Sequence, residues 1–346
     1  MATTRARDAG DYVVAPTIDE LIGNAGQNGQ VLRKVSAGVY EWGFLNNNEP
    51  NYGASGSQIL LSGGQTDSAN TSNGCEMKQF ATTANSVGHG TLFENRKYVV
   101  GDTNGATAMY GSGFGSSQLS SVEFKQFAST AIGSQQGNLT TARNSVTAAS
   151  DGDQVMFNGG FTGSFFDMSE LKQFADAANS VSHGILGYAS VRAPASASDG
   201  TQVMVQGGWT GTVYSDQNHM KLFSTNADSV YWGIVNVGKY GHAGASDGTL
   251  AIFTGGWRDE WVTSTRKHFF SDNSVTEGYG TLDSTTRRNW ATKGASDGTK
   301  YVICGGITDS NQTDSTISQQ FTSNSTYTSH GTLTTRRAYL DSISGN

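Results

Sequence analysis

The chain has 346 residues, enough for one large domain or two ordinary ones. Glycine is abundant at 45 residues against 3 prolines, and aromatics reach 10%, a balance that excludes disorder and suits short strands joined by glycine turns. The net charge of −7 opposes nucleic-acid phosphates, no apolar run reaches membrane-spanning length, and two cysteines cannot staple a chain this long.

Residues 1–42 stand apart from the rest of the chain. Met1-Ala2-Thr3-Thr4-Arg5 lacks the apolar core of a secretory signal, and with the sparse cysteines this sets an expectation of assembly in a reducing cytoplasm. Thr17-Ile18-Asp19-Glu20 after Pro16 is a capping-box pattern and predicts one or two helical turns over Thr17 to Gly23. Asn28 to Lys34 and Gly38 to Trp42 then predict a hairpin around Ser36-Ala37-Gly38. A segment this small needs a surface to fold against, so it is expected to dock on a partner or on the rest of the chain.

From residue 43 onward three landmarks recur six times. A turn glycine stands at Gly56, Gly105, Gly152, Gly200, Gly248 and Gly298. The last glycine of a Gly-Gly-like pair comes next, at Gly64, Gly113, Gly160, Gly208, Gly256 and Gly306. Phe80, Phe127, Phe174, Phe223, Phe270 and Phe321 are each followed by a glycine, from Gly90 through Gly331. Four short strands are predicted per copy. A Ser-Asp-Gly hairpin turn carrying Asp151, Asp199, Asp247 or Asp297 ends the first strand, since glycine accepts the positive φ of a tight turn. The second strand is nearly all apolar, as in Gln202-Val203-Met204-Val205 and Tyr301-Val302-Ile303-Cys304, which predicts burial on both faces and makes Cys304 a small core residue. It stops at the Gly-Gly pair, a polar loop follows, and strands such as Glu170 to Phe174 and His330 to Leu333 complete the unit. Thr334 to Asn346 restarts the motif and ends after one strand, while the first copy begins weakly around Asn46 to Asn48 and Pro50. The pattern predicts an all-β, six-bladed β-propeller over residues 43–346, its first blade completed by the C-terminal strand.

The Ser-Asp-Gly-Thr turn, the Val/Ile-rich strand, the Gly-Gly pair and the later aromatic together resemble Kelch repeats, though the aromatic spacing departs from the Kelch signature and no regular tryptophan follows. The chain looks more closely similar to degenerate Kelch-like repeats of bacteriophage tail and virion proteins, those of phages infecting cyanobacteria in particular. These carry a Gly-x-Leu-Thr-x-x-Arg step, here Gly137 to Arg143 and Gly331 to Arg337. The Gly-Gln-Val-Leu and Tyr-Glu-Trp-Gly phrases at Gly29 to Leu32 and Tyr40 to Gly43 resemble segments near the N-terminal parts of tail-fibre and baseplate-associated proteins. The resemblance implies a virion protein assembled in the host cytoplasm. Residues 1–42 would bind other virion proteins, and the blade loops would bind a host surface glycan, a host protein or a neighbouring subunit. A capsid decoration or tail adaptor is the alternative, and a host-type Kelch adaptor or a propeller enzyme the third.

Catalytic signatures are wanting. His89, His183 and His330 share one repeat position with Gln136, Trp232 and Tyr279, which points to a structural role rather than to copper ligands of the galactose oxidase kind. The Ser-Asp-Gly-Thr turns lack the spacing and tryptophan of sialidase boxes, and no phosphate loop, nucleophile elbow or His-Glu-x-x-His occurs. No enzyme, cofactor or metal is expected. A basic residue recurs before each first strand, at Arg96, Arg143, Arg192, Lys239, Arg288 and Arg337, and is expected to pair with a turn aspartate, the alternative being a positively charged ring on one face. Function is expected where the repeats differ, in the loops after Gly-Gly. Phe161, Trp209 and Trp257 are expected to pack between blades, which leaves Phe165, Phe166, Tyr214, Arg258 and Trp261 as the candidate binding face.

Overall fold

The computed structural model describes residues 30–36, 39–44, 56–67, 70–187, 190–235, 237–273, 275–276, 279–282, 293–307, 311–324 and 327–346. The predicted helical turns over Thr17 to Gly23, and Arg288, lie outside them. The chain divides into two compact units, Met1–Pro50 and Asn51–Asn346. In the first, β1 (Gln30–Ser36) and β2 (Val39–Phe44) form an antiparallel hairpin with Gln30 opposite Phe44 and a slip of register between Lys34 and Ser36. The second strand runs on past Trp42 to Phe44.

The second unit is a six-bladed β-propeller, and every described strand in it lies within one of the repeats. Blade 1 contains β3 (Gln58–Ser62), β4 (Gly74–Gln79) and β5 (Val87–Thr91). Blade 2 is β6 (Val100–Thr103), β7 (Thr107–Gly111), β8 (Leu119–Gln126) and β9 (Ser134–Arg143), and blade 3 is β10 (Thr147–Ser150), β11 (Gln154–Asn158), β12 (Met168–Gln173) and β13 (Val181–Ile185). Blade 4 comprises β14 (Ala195–Ser198), β15 (Gln202–Gln206), β16 (Gln217–Leu222) and β17 (Val230–Ile234). In blade 5, β18 (Ala243–Ser246) and β19 (Leu250–Thr254) are followed by a small hairpin, β20 (Trp257–Arg258) and β21 (Glu260–Trp261), before β22 (Thr265–Phe269) and β23 (Val275–Thr276). Blade 6 is β24 (Ala295–Ser296), β25 (Lys300–Cys304), β26 (Ser315–Gln320) and β27 (Thr328–Thr332). The last strand, β28 (Asp341–Gly345), pairs antiparallel with β3, Asp341 opposite Ser62 and Gly345 opposite Gln58, so the two ends of the repeat array share blade 1. That closure leaves the ring without a free blade face.

Composition explains which strand goes where. The first strands β28, β6, β10, β14, β18 and β24 touch one another in sequence round the axis, where six backbones converge. Their residues are correspondingly small, as in Thr147-Ala148-Ala149-Ser150 and Ala195-Ser196-Ala197-Ser198, all of them buried. The second strands lie between neighbouring blades and bury both faces: none of Ile59, Leu60, Met109, Phe157, Val203, Ile252 and Val302 is more than 1% exposed. Burying one such side chain stabilises the fold by roughly 1.5–3 kcal/mol. Six apolar clusters result, each shared by two adjacent blades, and the cluster of Ile59, Leu61 and Phe80 with Val302 and Cys304 joins blade 6 to blade 1. In five blades the glycine after the phenylalanine sits at a bulge against the next blade. Gly90 has a φ of 75°, and a Cβ there would lie 2.0 Å from the Thr130 carbonyl oxygen.

Candidate functional site

The meander gives the ring two chemically different faces. The hairpin turns between first and second strands occupy one end of each blade. There the turn serine and aspartate satisfy the backbone in the same way each time. In blade 3 the Ser150 hydroxyl accepts the Gly152 N–H, and Asp151 accepts those of Asp153 and Gln154. Blade 4 repeats this with Ser198 and Asp199, blade 5 with Ser246 and Asp247, blade 6 with Ser296 and Asp297, and blade 2 with Thr103 and Asn104. In blade 1 the two ends of the repeat array meet at this turn, where the Asn346 side chain accepts the Ser57 N–H.

At the opposite face the loop after Gly-Gly meets the loop that leads into a first strand. Single antiparallel bridges join Lys97 to Phe114, Asn144 to Phe161, Arg192 to Trp209 and Tyr240 to Trp257. Close approach explains the glycine: a Cβ on Gly160 would lie 2.7 Å from Val146 and 3.0 Å from the Asn144 carbonyl oxygen. Tyr98, Ser145, Ala193 and Gly241, which follow these bridges, and Tyr339, which follows a bridge of Ala338 to Gln65, have a φ of 50–64°. For side chains other than glycine such a conformation costs on the order of 1 kcal/mol or more. Recurrence marks it as a demand of the turn, which lets Tyr98 N–H reach the Tyr339 carbonyl and Ala193 N–H the Ser145 carbonyl across blade boundaries.

Among the described residues the recurring basic residues do not pair with turn aspartates, which are occupied by their own hairpins. They are buried beneath the loop face and pair with a glutamate on the third strand of the same blade. Arg96 bonds Glu123, Arg143 bonds Glu170 at 2.8 Å, and Arg337 bonds Glu76 at 2.5 Å. Burial pushes the Glu170 and Glu76 carboxyls up, but the adjacent guanidinium and hydroxyl donors outweigh it and hold both below the usual carboxylate range. Blades 4 and 5 break the rule. The Val191 carbonyl accepts the Gly160 N–H just as Arg143 accepts that of Gly113, so Val191 holds the buried place and Arg192 lies one residue along, half-buried at the loop face. In blade 5 the glutamate position is Arg266. The Lys239 amine has no hydrogen-bond partner there, and burial with the Arg266 charge pushes it down to about 7.

The candidate binding residues separate into two groups. Phe166 lies 5.8 Å from the Arg143 guanidinium and caps the buried ion pair. The others join a belt across blades 3 to 5. Phe165 packs edge-on against Phe161 at 5.3 Å, and the Arg192 guanidinium spans the Phe161 and Tyr240 rings at 5.5 and 5.8 Å. Tyr214 stacks on Tyr240 at 5.8 Å, contacts Trp209 at 4.6 Å and donates its hydroxyl to Asp259 at 2.9 Å. Arg258 is exposed at the tip of the small hairpin, where Trp257 and Trp261 meet edge-to-face at 4.8 Å. Phe161, Trp209 and Trp257 are half-buried in these ring pairs rather than sunk between blades.

Next to the belt opens a cleft of about 330 Å³ lined by Lys97, Tyr98, Phe114, Asn144, Phe161 and Arg192 among others. Lys97 hydrogen-bonds Gln65 and sits 5.7 Å from the Phe114 ring, and Tyr98 packs on Tyr339 at 4.4 Å. Sequence reasoning passed over Tyr98, Tyr339, Lys97 and Phe114; it had Arg192 but in the wrong register. The recurring histidines serve the frame: the Nε2 atoms of His89, His183 and His330 lie within hydrogen-bond reach of the carbonyls of Gln126, Leu222 and Gln79 in the neighbouring blade. Trp232 makes the same link to Phe269, whereas Gln136 turns to Ser134. Among the described residues no three histidine, cysteine or carboxylate side chains converge. Cys75 and Cys304 are buried in separate clusters, and burial pushes the Cys75 thiol up.

The fold and the uneven loop face thus define a six-bladed β-propeller with one repetitive and one diversified end. The chain matches no protein-family model and no curated protein.

Proposed function

We propose that the propeller is a recognition protein that acts by binding through the face formed by the loops after Gly-Gly, without catalysis. The observation that carries the reading is the contrast between the ends of the blades. Five hairpin turns repeat one capping scheme, whereas the opposite loops change from Gln65 to Phe114, Phe161, Trp209, Trp257 and Ile307 at a single equivalent position. Paired aromatics supply large contact area at small entropic cost, and interspersed Arg192, Arg258 and Asp259 supply directionality. The setting we propose is a bacteriophage virion, as a tail-fibre or tail-associated component whose loops hold a host receptor or another virion protein and whose residues 1–42 attach it to the particle. That setting rests on the resemblance to virion Kelch-like repeats. A glycan array, with purified virion proteins as a second panel, tests the reading. Specific capture that is lost in Trp261→Ala supports it. No capture on either panel, or capture indifferent to Trp261→Ala, Tyr214→Ala and Arg192→Gln, would overturn it.

A further inference from the structure

The geometry points to a ligand class for the cleft beside the belt: we propose that it binds a single acidic sugar ring, with Arg192 holding the carboxylate and Phe161 and Phe114 facing the ring. The inference rests on the recognition reading above and narrows it to one pocket.

Three features of the cleft converge. Its lining includes the rings of Tyr98, Phe114 and Phe161, and the electron-rich face of an aromatic ring attracts the polarised C–H groups of a pyranose. Asn144, Gln118 and Ser145 line it with neutral donors and acceptors of the kind sugar hydroxyls need. Two cations, Lys97 and Arg192, complete it, and among the described residues neither forms an ion pair with a carboxylate. In blades 1 to 3 the enclosed guanidiniums of Arg337, Arg96 and Arg143 are each paired with a glutamate. Arg192 instead leans on the Phe161 and Tyr240 rings, with no carboxylate paired to it among the described residues. A guanidinium without a carboxylate partner at the wall of a cleft suits the fork geometry of a ligand carboxylate.

Size and charge narrow the ligand. A cleft of about 330 Å³ lies at the small end of ligand sites, which run from roughly 300 to 1,000 Å³, so it suits one ring of a glycan rather than a stretch of chain. Two cations on a chain of net charge −7 make a local site for one carboxylate and cannot track a polyphosphate backbone.

Ligand-observed NMR titration of the full chain with glucuronic acid and with glucose tests the proposal. The acid is expected to bind about tenfold more tightly than the neutral sugar, the scale of one charge-assisted hydrogen-bonded pair. Arg192→Gln should remove that preference while its melting temperature stays at the wild-type value, and Lys97→Gln should reduce it. Equal affinity for the two sugars, an undiminished preference in both variants, or no binding of either sugar to the wild-type chain would overturn it. If Arg192→Gln does not fold, the acid-against-neutral ratio of the wild type and the Lys97→Gln variant decide. Array capture that Trp261→Ala abolishes but Arg192→Gln spares would sink this pocket and leave the recognition face standing.

Discussion

Arg143 in blade 3 and Lys239 in blade 5 occupy the same place beneath the loop face, and their surroundings are opposite. Arg143 meets Glu170, itself held by Ser180 and Thr140. Lys239 meets Arg266, and its amine goes without a hydrogen bond. In blades 1 to 3 a buried charge is compensated and fixes the loop above it, whereas in blade 5 the repeat has kept a cation and replaced its counter-ion. The repeat position therefore does not dictate an ion pair, and in blade 4 the apolar Val191 fills the same place under the loop. Divergence accumulates in the blades that carry the belt of Tyr214, Arg258 and Trp261.

That comparison can be broken at several depths. The largest effect is expected from Glu170→Ala, which strands Arg143 in the interior and should destabilise the chain by roughly 3–5 kcal/mol in denaturant unfolding. Because Glu170 is held below its unfolded pKa, its stabilisation is complete above the ordinary carboxylate range and is lost as pH falls through the depressed folded value. Acid unfolding of the wild type should therefore be steep, and Glu170→Gln should blunt it.

Lys239→Met should act in the other direction and stabilise by about 2 kcal/mol at neutral pH, since it removes a buried amine without a counter-ion. The sign follows from linkage. A lysine lowered to about 7 in the fold costs stability progressively as pH drops from about 10.4, its unfolded value, to about 7, and the cost is constant below. The variant should lack this slope. If Lys239→Met destabilises instead, blades 3 and 5 are not the opposites described.

Asp247→Ala removes the acceptor of two hairpin N–H groups and should cost about 1–2 kcal/mol. The smallest effect belongs to Arg258→Ala, exposed on the small hairpin, which should leave the unfolding midpoint within about 0.5 kcal/mol of wild type while weakening capture on the array.

Much of the fold was legible because its constraints are local and repeated. Asp-Gly turns, apolar second strands and Gly-Gly pairs each reflect a backbone requirement that six copies must meet, and the lone strand after Thr334 announced closure. The site was less legible. The Arg–Glu pairs had a signal, since Arg96 and Arg143 precede Glu123 and Glu170 by the same interval, but the hairpin aspartates were the more conspicuous acids. Arg192 sits beside Val191 in a loop where basic residues look interchangeable, and only the hydrogen bond from Gly160 shows which one turns inward. The contacts of Tyr214 with Tyr240 and of Tyr98 with Tyr339 join different blades, and no spacing along the chain encodes them.

Amide hydrogen exchange of the whole chain, with and without a captured glycan or virion protein, tests the central claim most directly. Slowed exchange is expected over residues 114–118, 161–166, 209–214 and 257–261, with the hairpin turns unchanged. Protection confined to residues 151–154, 199–202 and 247–250 would place recognition on the repetitive face and contradict the account.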